Sequence, residues 1–85
     1  MDIDKDLILR EFPLFADLTE SERAIIKERS SILEYKKGET IYEEASPPSA
    51  FYCIVLGRVA IFTKDQLGNK KVVEYLHRGK YFGII

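Results

Sequence analysis

From Ser31 onward the chain is cut into short apolar runs, each stopped by glycine or proline within ten residues. The runs Ile32–Lys36, Thr40-Ile41-Tyr42, Ala50–Leu56, Val59–Thr63 and Lys70–Leu76 are rich in β-branched and aromatic residues. Interruptions that close together exclude a long helix and leave short strands that reverse repeatedly. Lys37-Gly38 reads as a turn, and Gly57 as a tight turn or bulge. Asp65-Gln66-Leu67-Gly68-Asn69 reads as the loop of a hairpin joining Val59–Thr63 to Lys70–Leu76. Ser46-Pro47-Pro48-Ser49 lacks the amides a strand interior needs, so it is a loop. Gly79 and Gly83 bracket a short last strand.

Before Ser31 the pattern is helical. Residues from about Asp4 to Phe12 predict a short helix, capped by Asp2 or Asp4 and closed by Pro13. Thr19-Glu20-Ser21-Glu22 matches a capping box, which predicts a helix running to about Ser30. Ala24, Ile25 and Ile26 are expected to face inward, with Lys27, Glu28 and Arg29 in water. Helices first and short strands after predict an α+β fold, mainly β, with an antiparallel sheet. At 85 residues the chain is read as a single domain, helical over about 4–30 and β over about 31–85.

Thirteen basic and fourteen acidic residues give a net charge of −1, with no broad basic footprint for nucleic acid. Ala50–Leu56 is far shorter than the roughly 20 residues that span a bilayer, and the acidic start lacks a secretory n-region. No membrane or nucleic-acid partner is therefore expected, and the address is read as cytoplasmic. Cys53, mid-strand between Tyr52 and Ile54, reads as an inert packing residue. His77, beside Arg78 and Gly79, reads as a solvated loop histidine. One histidine and one cysteine are too few soft ligands for a metal site. Lys64, Lys70 and Lys71 read as a solubilising hairpin end. Gly79 and Gly83 form no phosphate loop, because no helix follows them. No nucleophile elbow or catalytic triad order is present, so the chain is read as no enzyme.

Lys37-Gly38-Glu39-Thr40-Ile41-Tyr42, then Phe51–Ile61, then Gly68, then Leu76–Gly83, resembles the cyclic-nucleotide-binding domain. The resemblance spans roughly residues 12–83 and implies N-terminal helices followed by part of an antiparallel β-roll of jelly-roll type. It implies a sensory or regulatory module whose ligand, in a complete domain, is cAMP or cGMP. In similar proteins the segment that clasps the cyclic phosphate starts at Phe82-Gly83. There a glutamate takes the ribose hydroxyl at the position held here by Ile84, and the phosphate-binding arginine falls beyond Ile85. By resemblance, Ile61, Val73 and Glu74 line the ligand cavity, and Gly83, Ile84 and Ile85 open the clasp. The chain is accordingly expected not to bind a cyclic nucleotide on its own. A roll ending after Phe82-Gly83 leaves an edge unpaired, so self-association is expected. The alternatives are a non-sensing scaffold or dimerisation domain of the same fold, or the effector domain of a transcription regulator sensing another signal.

Overall fold

The computed structural model describes residues 3–43 and 50–83, in two compact units covering residues 1–44 and 45–85. In the first unit, α1 spans Lys5–Glu11. Asp4 caps it, its Oδ1 accepting from the amides of Asp6 at 2.9 Å and Leu7 at 3.3 Å. Two of the donors that a helix start leaves open are thereby satisfied. The helix stops at Phe12, which is extended because Pro13 follows it. Pro13–Phe15 then form one 3₁₀ turn.

α2 spans Glu20–Arg29 and opens on a complete capping box. The Glu22 amide donates to Thr19 Oγ1 at 3.2 Å, and the Thr19 amide donates to Glu22 Oε1 at 2.9 Å. Those bonds, the one from the Thr19 amide foremost, hold the Glu22 carboxyl below the usual carboxylate range. Thr19→Ala should cost about 0.5–2 kcal/mol. Each kcal/mol lowers the melting temperature of a chain this size by about 4–8 °C, so a reversible thermal melt reads the effect. An unchanged melt would show that the box does not hold the helix start.

Two lysines tie the helices of this unit together. Lys27 Nζ lies 2.8 Å from Asp6 Oδ2, and the hydrogen bond it donates lowers the Asp6 carboxyl and raises the Lys27 ammonium. Lys5 Nζ donates to the Ser30 carbonyl at 2.6 Å, at the end of α2 where partial negative charge gathers. Leu9 and Phe12 are buried. On α2 the inward set is smaller than expected: Ile26 is half-buried, whereas Ala24 and Ile25 are exposed. The runs 32–36 and 40–42 form no strand; in the turn between them the Glu39 amide donates to the Lys36 carbonyl at 3.0 Å. A β-prone sequence becomes a strand only when another strand takes up its amides and carbonyls.

The second unit has four strands: β1 (Phe51–Cys53), β2 (Arg58–Lys64), β3 (Lys70–His77) and β4 (Tyr81–Gly83). β2 pairs with β3 and β1 with β4, all antiparallel, so the hairpin is nested inside the outer pair. The expected seven-residue strand over Ala50–Leu56 is three residues long. Its partner β4 is also only three residues, and a strand can be no longer than what pairs with it. Ile54 extends the contact by one step: its amide donates to the Lys80 carbonyl at 2.9 Å, and its carbonyl accepts from the Gly79 amide at 2.8 Å. Ile54 is buried. Asp2 and the Pro47-Pro48 loop lie outside the described residues.

The hairpin carries one irregularity and one tightly bonded loop. Ile61 faces Glu74 and Phe62 faces Val72, so Val73 is an extra residue with no partner across the ladder, a β-bulge. In the loop, Asp65 Oδ1 accepts from the amides of Leu67 at 2.8 Å and Asn69 at 2.9 Å. Asp65 Oδ2 accepts from Asn69 Nδ2 at 3.2 Å. These donors, the Asn69 amide first, hold the Asp65 carboxyl below its usual range.

Candidate functional site

Three of the six residues expected at a ligand site meet at one point of the hairpin. The β2–β3 register puts Ile61 directly across from Glu74, and the bulge puts Val73 beside that pair. Directly opposed residues share a face of the ladder, so an apolar and an anionic side chain stand next to each other. Ile61 is 37% exposed and Val73 is 55% exposed. Glu74 is exposed as well and has no hydrogen-bond or ion-pair partner among the described residues. The pair therefore offers apolar contact beside a free acceptor for a ligand hydroxyl or amino group.

Gly83 lies on the other sheet, opposite Phe51 in β4. Its φ is +112°, and an added Cβ would come within 2.5 Å of the Ala50 carbonyl oxygen. Only glycine lets the two backbones approach this closely. Ile84 and Ile85 lie outside the described residues.

The unit formed by residues 1–44 has a cleft of its own, about 410 Å³, lined by Asp6, Leu9, Arg10, Glu20, Arg23 and Lys27 among others. None of the expected site residues borders it. Its cations are engaged locally: Lys27 with Asp6, and Arg23 Nη1 with the Leu18 carbonyl at 2.6 Å. It reads as the open seam of a helix pair.

Several contacts on the strands depend on pairing that a single strand does not reveal. The Arg58 guanidinium lies 4.2 Å from the Tyr75 ring centre, and Lys70 Nζ lies 4.6 Å from that of Phe62. Tyr52 stacks on Phe82 with ring centres 5.0 Å apart, and Phe51 meets Tyr81 at 5.4 Å. The alternation of aromatic and basic residues is the signal in the sequence, but the register of each strand pair decides which of them meet.

Cys53 is half-buried, and desolvation pushes its thiol pKa up, the opposite of an activated thiolate. His77 is exposed on β3, opposite Arg58. Among the described residues no cluster of three or more His, Cys, Asp or Glu could hold a metal ion. Among the same residues no helix is long and apolar enough to cross a membrane.

Comparison with known proteins agrees with this architecture. Residues 32–85 match the model of the cyclic nucleotide-binding domain. A cAMP-dependent protein kinase regulatory subunit of Mycosarcoma maydis is 37% identical over 75 residues, covering 88% of this chain and 14% of the relative. Proteins of the same description from Colletotrichum orbiculare and Hypocrea atroviridis are 33% and 31% identical over 75 residues each. These alignments cover 88% of this chain, and 18% and 15% of the respective relatives. The chain thus spans less than a fifth of the length of the curated relatives it matches. No solved structure matches it. On the strength of the family match and of two helices followed by antiparallel strand pairs, the chain belongs to the cyclic nucleotide-binding domain family.

Proposed function

We propose that residues 1–85 form the framework and one cavity wall of a cyclic-nucleotide-sensing regulatory module, of the kind named in the three kinase regulatory subunits. The observation that carries this reading is the family match over residues 32–85, which includes the hairpin that sets Ile61 across from Glu74. In this reading Ile61 and Val73 supply apolar contact, and Glu74 accepts a hydrogen bond from the nucleotide. The module carries out no reaction: ligand binding shifts the population of a conformation that an attached effector reads. A cytoplasmic address and self-association go with the same proposal.

The ligand's phosphate sets the limit on what these residues achieve by themselves. By the family resemblance its arginine is not among residues 1–85, and Ile84 stands where similar proteins place the ribose-binding glutamate. Burying a phosphate charge without a partner costs several kcal/mol, more than one charge-assisted hydrogen bond of about 1.5–3 kcal/mol returns. The 85-residue chain should therefore contact cAMP weakly and locally. In an amide NMR titration with cAMP, cGMP and 5′-AMP, the signals of Ile61, Val73 and Glu74 should move first, with cyclic nucleotides favoured. Ligand at 100 times its dissociation constant would add about 2.7 kcal/mol, so weak contact leaves the melting temperature unmoved at millimolar nucleotide. Ile84 favours a second reading, a non-sensing scaffold or dimerisation module of the same fold. No response at the hairpin to any of the three nucleotides would replace the sensing reading with that one.

A further inference from the structure

We infer that the tip of the β2–β3 hairpin is a peripheral contact point for an anionic lipid bilayer. Leu67 enters the boundary between headgroups and acyl chains, and Lys64, Lys70 and Lys71 face the anionic headgroups. This goes beyond nucleotide sensing and does not depend on it.

Leu67 is 87% exposed, well above the next large apolar residue among the described residues, Leu56 at 60%. Its position is set by the loop itself, since the Asp65 carboxylate holds the Leu67 and Asn69 amides. The backbone that carries the side chain is thus held in place, and less ordering of the loop is left to be done on binding. Asp65 is the only acidic residue between Thr63 and Val73, and both its oxygens accept hydrogen bonds inside the loop. Lys64 stands directly across from Lys70, and Lys71 lies one step further along, opposite Thr63. Lys70 Nζ rests over the Phe62 ring, and an anionic surface adds a favourable interaction for each lysine held near it. The unit that carries the tip is also the basic one. Residues 45–85 hold six Lys and Arg against two Asp and Glu, whereas residues 1–44 hold seven against twelve.

A protein partner would need an interface of about 800 Å² on each side. The tip itself offers one leucine among Gln66, Gly68 and Asn69, a small contact beside that figure. A bilayer needs no shaped counterpart. One apolar side chain with three cations belongs with the single-signal anchors, whose attachment is reversible.

The test is vesicle co-sedimentation of the 85-residue chain, with phosphatidylcholine alone and with about one-third phosphatidylserine. The chain should bind the anionic vesicles and leave the neutral ones. Leu67→Asp should weaken binding about tenfold or more. Lys70→Glu with Lys71→Glu should weaken it by about fivefold or more for each lysine changed. The chain has no tryptophan, so Leu67→Trp provides a unique reporter whose emission should shift to the blue with anionic vesicles only. All three positions are exposed, so melting curves should match the parent and confirm folding. Absence of binding to anionic vesicles, binding that survives Leu67→Asp, or an unshifted emission from bound Leu67→Trp protein would overturn the inference. Equal binding to polyglutamate with the same dependence on Leu67 would assign the tip to an acidic protein instead.

Discussion

Replacing Gly83 by alanine should disrupt the β1–β4 sheet, while the same change at Gly57 should cost much less. Both glycines have positive φ, +112° and +83°. A non-glycine residue in such a region costs about 1–3 kcal/mol from the backbone alone, and the two substitutions share that part. They differ in surroundings. At Gly57 the new Cβ meets nothing within 4 Å. At Gly83 it would lie 2.5 Å from the Ala50 carbonyl oxygen, 3.3 Å from Tyr52 Cδ2 and 3.4 Å from Phe51 Cα. The nearest of these belongs to the backbone, and the register Phe51↔Gly83 prevents either strand from moving without losing its partner. The melting temperature should fall by about 10 °C or more for Gly83→Ala, at about 4–8 °C per kcal/mol. The near-ultraviolet signal of the stacked Tyr52 and Phe82 rings should weaken with it. Equal losses for the two variants would mean that β1 and β4 do not approach as closely as described.

Ile54→Ala should be comparably severe by a different route. Leu9, Phe12 and Ile54 are the buried apolar side chains among the described residues, and Ile54 belongs to the β unit. Truncating a buried isoleucine to alanine costs about 2–5 kcal/mol, from lost transfer free energy and from the cavity left behind. A chain of this length has a total stability of about 4–13 kcal/mol, so the loss is a large share of the whole. The backbone bonds of Ile54 to Gly79 and Lys80 hold the site open and limit its collapse around the missing methyl groups. Ile54→Val removes one methylene and should cost only about 0.5–1.5 kcal/mol. Urea midpoints for the two variants separate the effects. Similar midpoints would show that the side chain is not packed as the burial indicates.

What the sequence made legible was what it decides locally. The Thr19–Glu22 box and the Asp4 cap are closed by groups two or three residues apart, so residue types and spacing suffice to find them. The β2–β3 hairpin was legible for the same reason, since its loop and both strands are contiguous. The lengths of β1 and β4 were not, because each is limited by a partner distant in sequence. Ile32–Lys36 and Thr40–Tyr42 have the composition of strands, but neither forms one in the structure. On α2 the spacing of Ala24, Ile25 and Ile26 looks inward-facing, yet a short helix against one neighbour half-buries only Ile26. Ile61, Val73 and Glu74 were singled out by resemblance. That Val73 is the extra residue of a bulge, rather than a rung of the ladder, depends on the pairing and is invisible in β3 alone.

The nesting of one strand pair inside another also fixes an order of events for the chain as it folds. Residues 54–80 separate β1 from β4, a long loop to close from the unfolded state. Once β2 and β3 have zipped across the loop at 65–69, both ends of that loop are carried close together and little entropy remains to be lost. The outer pair is then the late and reversible step, and the inner hairpin is the early one. An amide in β4 reports on the whole unit, since it is protected only while everything between it and β1 is already in place.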